Sequence, residues 1–314
     1  MTHVDTGARK GTGTRSPKSV QSSTRLKRIH DRRFALMILP ALLIYAIFYL
    51  YPTLSNLRYA FTEWDGLLEP RFIGLENFAR TVTNDDIFRK VLGNNIEFSF
   101  LVIVFQTAFS LLFAIFLLKN TRTSIALRTL YFFPTILSSV SVALVWMFIY
   151  EPNLGALNTL LRNFGFDSLA LSWLGSETIT LRAIAFTQVW FHTGQMMVVY
   201  IAGLQQIPQE LYEAAEMDGA SRWQQFKSVT WPMALPTTAV VLAYTTIQSF
   251  RAFDLIYTMT GGGPNNSTNI LVTLIYQSAF GEYRFGYAAS LSVYLVVFIL
   301  LLTWLQRRIL RTKY

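Results

Sequence analysis

Long apolar runs separated by short polar links dominate the chain. Six of them stand out: Phe34 to Tyr51, Ile96 to Leu118, Leu130 to Tyr150, Arg182 to Leu204, Ala239 to Ile256 and Phe285 to Leu305. At about 1.5 Å of rise per residue, each is long enough to cross a bilayer as a helix. The pattern predicts an all-α integral membrane protein with about six transmembrane helices. Leu271 to Phe280 is apolar but too short to span alone, and reads either as an interfacial helix or as part of the last span. Residues 1 to 33 are rich in Ser, Thr, Gly, Lys and Arg and hold almost no large apolar group. They cannot bury enough surface to offset chain entropy, which predicts a disordered basic tail. The first apolar run is too long for a signal peptide and no small-residue cleavage pattern follows it, so it reads as a retained anchor over residues 34 to 52. An extracytoplasmic segment over 53 to 91, a helical domain over 92 to 305 and a short tail over 306 to 314 complete the organisation.

Composition narrows the function classes. Of 314 residues, 52% are hydrophobic and 14% charged, too few charges to cover a soluble surface. A soluble enzyme and a nucleic-acid binder are both poor fits. The net charge of +9 is largely a tail property, because nine of the 27 basic residues lie in the first 33 positions. Such a tail suits an anionic membrane surface and lipid headgroups. The tail, the link Lys119 to Arg128 and the terminal QRRILRTKY are all positive. With six spans they fall on one side, which places both termini and the 205 to 236 connection in the cytoplasm. Segment 52 to 95 is close to neutral.

The residues for catalysis are missing. No Lys directly follows a Gly, so the phosphate-binding loop of ATPases is absent. His3, His30 and His192 are far apart and none has HExxH spacing, and there is no Cys at all, so no metal site is expected. No GxSxG elbow occurs. The carboxylates Glu210, Glu213, Glu216 and Asp218 sit on an exposed helix with no apolar pocket to separate their pKa values. The chain is not expected to be an enzyme or to bind a cofactor itself.

The segment Ile207 to Pro236 reads as two short helices. Pro208 suits a first helical position, Glu210 favours the positive helix start, and Gly219 supplies a left-handed stop after Met217 and Asp218. Ser221 and Gln224 have capping-box spacing for the second helix, which Pro232 and Pro236 are expected to end. On the first helix Leu211, Ala214 and Ala215 let another protein approach the backbone closely, with Glu213 and Glu216 available to basic groups at the edges.

Glu213, Ala214, Ala215, Gly219, Val229 and Pro232 match the EAA signature of the permease subunits of binding-protein-dependent ABC importers. Asp218, Ala220, Phe226 and Pro236 extend the match. So do FIGLENF at Phe72 to Phe78, the Trp146 to Asn158 stretch with Gly155 and Asn158, and FDLIYTMTGGGP from Phe253 to Pro264. Over residues 34 to 310 the chain resembles the carbohydrate-uptake branch, specifically the maltose-transporter-like first permease half. Val229 in place of Ile and Trp231 in place of Leu are mild departures. The resemblance implies the type I importer permease fold over 92 to 305. It also implies a coupling helix from Glu213 to Gly219 seated in a separate ATPase subunit. Two copies of that ATPase would use ATP and Mg. A second, related permease would complete a heterodimer, and an extracytoplasmic solute-binding protein would deliver a sugar or a related solute. The location implied is a bacterial or archaeal cytoplasmic membrane.

Polar groups inside the spans suggest where the solute passes. Gln188, His192 and Gln195 follow i, i+4, i+7 spacing and share one helix face, and Tyr244, Gln248 and Arg251 form a comparable stripe on the next span. Such stripes face protein or water. They are either a hydrophilic translocation path or interhelical hydrogen bonds that fasten the bundle. Asp254, one turn beyond Arg251, is expected to pair with it. Gln106 with Ser110, and Ser138 with Ser139, read as helix-packing contacts, and Pro134 as a bend. TGGGP at Thr260 to Pro264 reads as a tight turn. An ion-coupled secondary carrier would need acids deep in the spans, and only Glu97 and Asp254, both near span ends, are available.

Overall fold

The computed structural model of the chain describes residues 37 to 309. The basic tail of residues 1 to 33 and the end of the C-terminal tail lie outside the described residues. The chain divides into two units, one to Ser55 and one from Asn56 onward. Most of helix α1 lies in the first; the helix runs as Met37–Tyr59, extends beyond the expected Tyr51, and loosens to a wider turn at Ala46–Leu50. Its apolar side chains, Leu42, Phe48 and Leu54 among them, are exposed.

The second unit opens with a small antiparallel ribbon, a detail that an all-helical expectation omits. Strands β1 (Thr62–Glu63) and β2 (Arg71–Phe72) pair with Thr62 opposite Phe72. Helix α2 (Glu76–Thr83) follows, and Asn77 at its start donates to the carbonyls of Ala60 (3.1 Å) and Thr62 (2.9 Å). Helix α3 (Asp86–Phe116) begins ten residues before the predicted Ile96, because the Asp85 carboxylate accepts from the Phe88 N–H at 2.8 Å and caps it.

The predicted span Leu130 to Tyr150 is not one helix. Helix α4 (Arg122–Phe132) tightens into a 3₁₀ turn at Phe133–Ile136 that contains Pro134, and α5 (Ser139–Ile149) leaves at 101° to it. Pro134 removes a backbone donor, and Leu137 and Ser138 then take extended conformations, so the ladder cannot continue. Helix α6 (Ala156–Asn163) and helix α7 (Thr180–Leu204) come next. Asn158 on α6 ties the segments on either side of that helix together, donating to the Pro152 and Leu171 carbonyls at 3.0 and 2.9 Å and accepting from the Trp173 indole at 2.7 Å.

Two more boundaries differ from expectation. Helices α8 (Gln209–Met217) and α9 (Arg222–Gln225) form as predicted, but Pro232 and Pro236 do not end the second. The helix passes through a widened turn at Phe226–Thr230 into α10 (Trp231–Phe250), with Pro232 in its first turn and Pro236 inside it. The widened turn relaxes the ladder where the Pro232 ring needs room and a missing N–H costs least. At the other end α10 stops at Phe250 instead of running to Ile256, and a separate α11 (Phe253–Thr260) starts after the break at Arg251 and Ala252. The TGGGP turn follows, with Gly261 and Gly262 in the left-handed region at φ 59° and 94°. Leu271 to Phe280 belongs to neither expectation entirely. It is a short helix, α12 (Leu271–Tyr276), with a widened last turn, buried on α3 and on α13 (Phe285–Ile309) and separated from α13 by Tyr283 at φ 55°.

Helices α3, α5, α7 and α11 enclose one core, in which Phe98, Val142, Ile184 and Ile256 meet. Helices α3, α7 and α10 enclose a second around Ala114, Met197, Tyr200 and Val241. Among the described residues three helices, α1, α3 and α13, are long and apolar enough to cross a membrane on their own, and the bent α4–α5 pair passes the same test only when its two halves are taken together. Helices α7 and α10, at 25 and 20 residues, carry the polar stripes.

Gly194 on α7 sets how closely α4 can approach. A Cβ there would lie 1.9 Å from the Tyr131 carbonyl oxygen, whereas a Cβ at Gly93 on α3 would meet nothing within 4 Å. Gly194→Ala is therefore expected to destabilise the protein by about 1–3 kcal/mol through overpacking against rigid backbone. Gly93→Ala should be neutral or stabilising by up to about 1 kcal/mol. Thermal unfolding of the two variants in detergent checks the pair.

Candidate functional site

Two regions carry the residues singled out by sequence. The first is a cavity of about 250 Å³ between α5, α7, α10 and the start of α11. Helix α7 contributes Gln188 and His192, one turn apart on the face that the i, i+4 spacing predicts. Helix α10 contributes Tyr244 and Gln248, and the break after it brings in Arg251. Asp254 from α11 and Ser139, at the 101° corner before α5, complete the polar lining. Ser139 is thus a cavity residue and not a packing contact, because the bend at Pro134 turns the start of α5 toward α10.

The polar groups are oriented by their neighbours. The Nδ1 of His192 lies 3.3 Å from the Gln188 carbonyl. If it donates there, the neutral ring keeps Nε2 as an acceptor. Gln195 does not line the cavity; its Nε2 donates to the Tyr244 hydroxyl at 3.1 Å and so bridges α7 to α10. Of the two readings for that residue, the interhelical hydrogen bond is what the structure contains. The expected pair between Arg251 and Asp254 does not form: neither is in an ion pair among the described residues, and both side chains are exposed. The reason is the break at Arg251 and Ala252, which ends one helix and starts another, so that the two residues are not one turn apart on a common helix. The cavity consequently presents a cation, a carboxylate, an amide, a phenol and an imidazole to one volume. Such a lining matches a solute with many hydroxyl groups, which donate and accept in the same space.

Glu97, one of the two acids available to an ion-coupled mechanism, accepts from the Arg182 Nε at 2.8 Å across α3 and α7. Ser110 donates to the Thr193 carbonyl at 2.9 Å, a packing contact as expected.

The second region is α8 with its turn. Pro208 is the residue before the helix, and Gln209 is the first helical one. At the far end the Ala220 N–H donates to the Ala215 carbonyl (2.9 Å) and the Gly219 N–H to the Glu216 carbonyl (3.0 Å), with Gly219 at φ 73°. This is the Schellman arrangement, and it requires a residue without Cβ strain at position 219. Ser221 and Gln224 then form the reciprocal capping box. Tyr212 turns inward, its hydroxyl 3.0 Å from Thr230 Oγ1, and anchors α8 to the base of α10. Glu213, Ala214 and Asp218 are exposed, Ala215 half-buried, and Met217 is 88% exposed. Trp223 on α9 is 70% exposed, stacks on Phe226, and was not singled out by sequence. Pro232 is half-buried in the first turn of α10 and positions the segment without joining its exposed face.

A family profile described as the inner membrane component of binding-protein-dependent transport systems matches residues 106 to 312. The chain is 33% identical over 280 residues to a probable ABC transporter permease protein, YurN, of Bacillus subtilis, covering 88% of this chain and 95% of the relative. It is 31% identical over 286 residues to the trehalose/maltose transport system permease protein MalF of Thermococcus litoralis, covering 90% and 96%. Among solved structures, it resembles a chain of a bacterial ABC transporter involved in the import of the acidic polysaccharide alginate. That match has a TM-score of 0.78 and 25% identity over 91% of this chain and 98% of the other. A chain of the MetNI methionine ABC transporter shares the fold alone, at a TM-score of 0.53 and 18% identity over 72% of this chain and 97% of that one. With the profile covering most of the helical unit, and the exposed EAA helix and the polar cavity inside or against the matched region, this chain belongs to the inner membrane permease components of binding-protein-dependent ABC transport systems.

Proposed function

We propose that the chain is one permease half of an ATP-driven importer for a sugar or a closely related polyhydroxylated solute. The observation that carries this reading is the cavity where α7, α10 and α11 meet, whose mixed donor and acceptor lining suits a hydroxyl-rich solute. Relatives support it. The multiple sugar-binding transport system permease MsmF of Streptococcus mutans, the trehalose/maltose permease MalF and the alginate importer all handle carbohydrates by their names. The partners are a second, related permease in a heterodimer, two ATPase subunits that bind ATP and Mg, and an extracytoplasmic solute-binding protein.

The two sites then act as one device. Helix α8 seats in the ATPase with Glu213, Ala214 and Asp218 at the contact, while Gly219 and Pro232 fix its direction. Tyr212 and Thr230 link it to α10, which carries Tyr244 and Gln248 to the cavity. When ATP draws the ATPase pair together, α8 moves with it, and rigid α10 transmits the motion to the cavity, which alternates between the two sides. The positive links support a cytoplasmic side for both termini and α8 in a bacterial or archaeal cell. No observation favours an ion-coupled carrier: Glu97 is in an ion pair with Arg182, and Asp254 is exposed in the first turn of α11.

Glu213→Lys and Gly219→Asp are each expected to reduce solute uptake by tenfold or more while the protein remains in the membrane at normal level. The measurement is uptake alongside immunodetection in membrane fractions. Gly219→Asp puts a side chain on φ 73°, at a cost of about 1 kcal/mol, and adds a negative charge at the end of α8. Unchanged uptake in both variants contradicts the coupling role. Uptake is further expected to survive collapse of the proton gradient when ATP is held high, and a loss under that condition contradicts the ATP-driven reading.

A further inference from the structure

Gln106 lies on α3, outside the cavity, with no solvent exposure at all. A carboxamide inside a membrane-embedded bundle is costly unless its donors and acceptors are used. Both contacts of its Nε2 are on α10: 3.2 Å to Gln248 Oε1 and 3.4 Å to Thr245 Oγ1. Its own Oε1 has no partner. The residue therefore retains an uncompensated buried carbonyl in order to hold one amide, and that amide belongs to a cavity residue.

The contact holds the Gln248 carboxamide in place. With its Oε1 occupied by Gln106, the Gln248 side chain has its Nε2 donors left for the cavity. Two N–H groups there meet the lone pairs of solute hydroxyls. They also complement the opposite lining, in which Asp254 only accepts. Without Gln106 the Gln248 amide is free to turn over or to leave the cavity by rotation, so its donors are no longer held in place. We propose that Gln106 is a positioning residue for solute recognition: it presets the rotamer of Gln248 and holds its carboxamide at the cavity without touching the solute. This rests on the reading of the cavity as the solute path.

The test uses the complete importer in proteoliposomes, with ATP inside the reach of the ATPase and the binding protein in the lumen-forming compartment. The probe is a mixture of carbon-13-labelled mono- and disaccharides, read by mass spectrometry of the transported fraction, and the sugar that wild type moves is then used alone. Gln106→Met keeps the length and packing of the side chain and removes its amide. It is expected to raise KM about tenfold while kcat changes less than twofold, the signature of lost alignment in binding. Gln248→Leu should do the same, and the double variant should be no worse than Gln248→Leu, because both changes remove one interaction.

A KM within twofold of wild type for Gln106→Met, while Gln248→Leu raises it, overturns the proposal. So do effects that multiply in the double variant, which would assign Gln106 to packing alone. If Gln106→Met fails to assemble, Gln106→Asn carries the same test, since it keeps an amide but is one methylene short of Gln248. Failure of wild type to move any sugar in the mixture refutes the carbohydrate reading itself, and the proposal with it; that result is distinguished by the wild-type arm alone.

Discussion

The structure depends on one constraint: polar groups held within membrane-crossing helices must find partners inside the protein. Helices α7 and α10 carry many such groups, and the fold buries Gln188, Thr193, Thr245 and Ser249 of these helices against their neighbours. Their side chains are then tied to neighbours: Gln195 to Tyr244, Gln106 to Gln248, Ser110 to the Thr193 carbonyl, Tyr150 to Thr187 at 3.2 Å. Gln188, His192, Tyr244 and Gln248 from this seam line one cavity. In this arrangement the interhelical hydrogen bond and the solute site are two uses of one polar seam, and the first builds the second.

The same economy of partners governs the loops. Asn77, Asn94, Asn95 and Asn158 each anchor a connection through its backbone: Asn94 donates to the Asn266 and Asn269 carbonyls at 2.8 and 2.9 Å, and Asn95 accepts from the Leu271 N–H at 3.0 Å. An amide can donate and accept at once, so a single residue satisfies two backbone groups that a loop would otherwise leave open. On the opposite side of the function, α8 is stopped by the Schellman turn and anchored by one hydroxyl pair, Tyr212 to Thr230. A rigid helix with a short, well-capped extension is a suitable lever between an ATPase and a cavity.

Much of this was legible in the sequence. The Gly219 stop and the Ser221 to Gln224 cap are local, and local chemistry decides them. The shared face of Gln188 and His192 follows from helical period alone. The failures have a common cause in tertiary context. The turn at Pro134 breaks a run that hydropathy reads as continuous, and the same corner delivers Ser139 to the cavity. Pro232 and Pro236 are tolerated in a helix because a widened turn precedes them, which no propensity reveals. Arg251 and Asp254 have ion-pair spacing only if one helix runs through both, and the chain breaks between them. Gln106 read as a packing residue because its partner, Gln248, lies 142 positions away.

The chain contains no cysteine, so a single introduced thiol reports its own surroundings without background. The most direct test of the central claim is the reaction of Cys at positions 139, 192, 248 and 251 with a water-soluble thiol reagent, in the assembled importer in vesicles, with and without transported sugar. The account predicts that all four react, that sugar slows them, and that Cys at the exposed apolar positions Val240 and Leu300 does not react because lipid covers it. Unreactive thiols at the four cavity positions, or equal labelling at Val240 and Leu300, would contradict a hydrated solute path along α7 and α10.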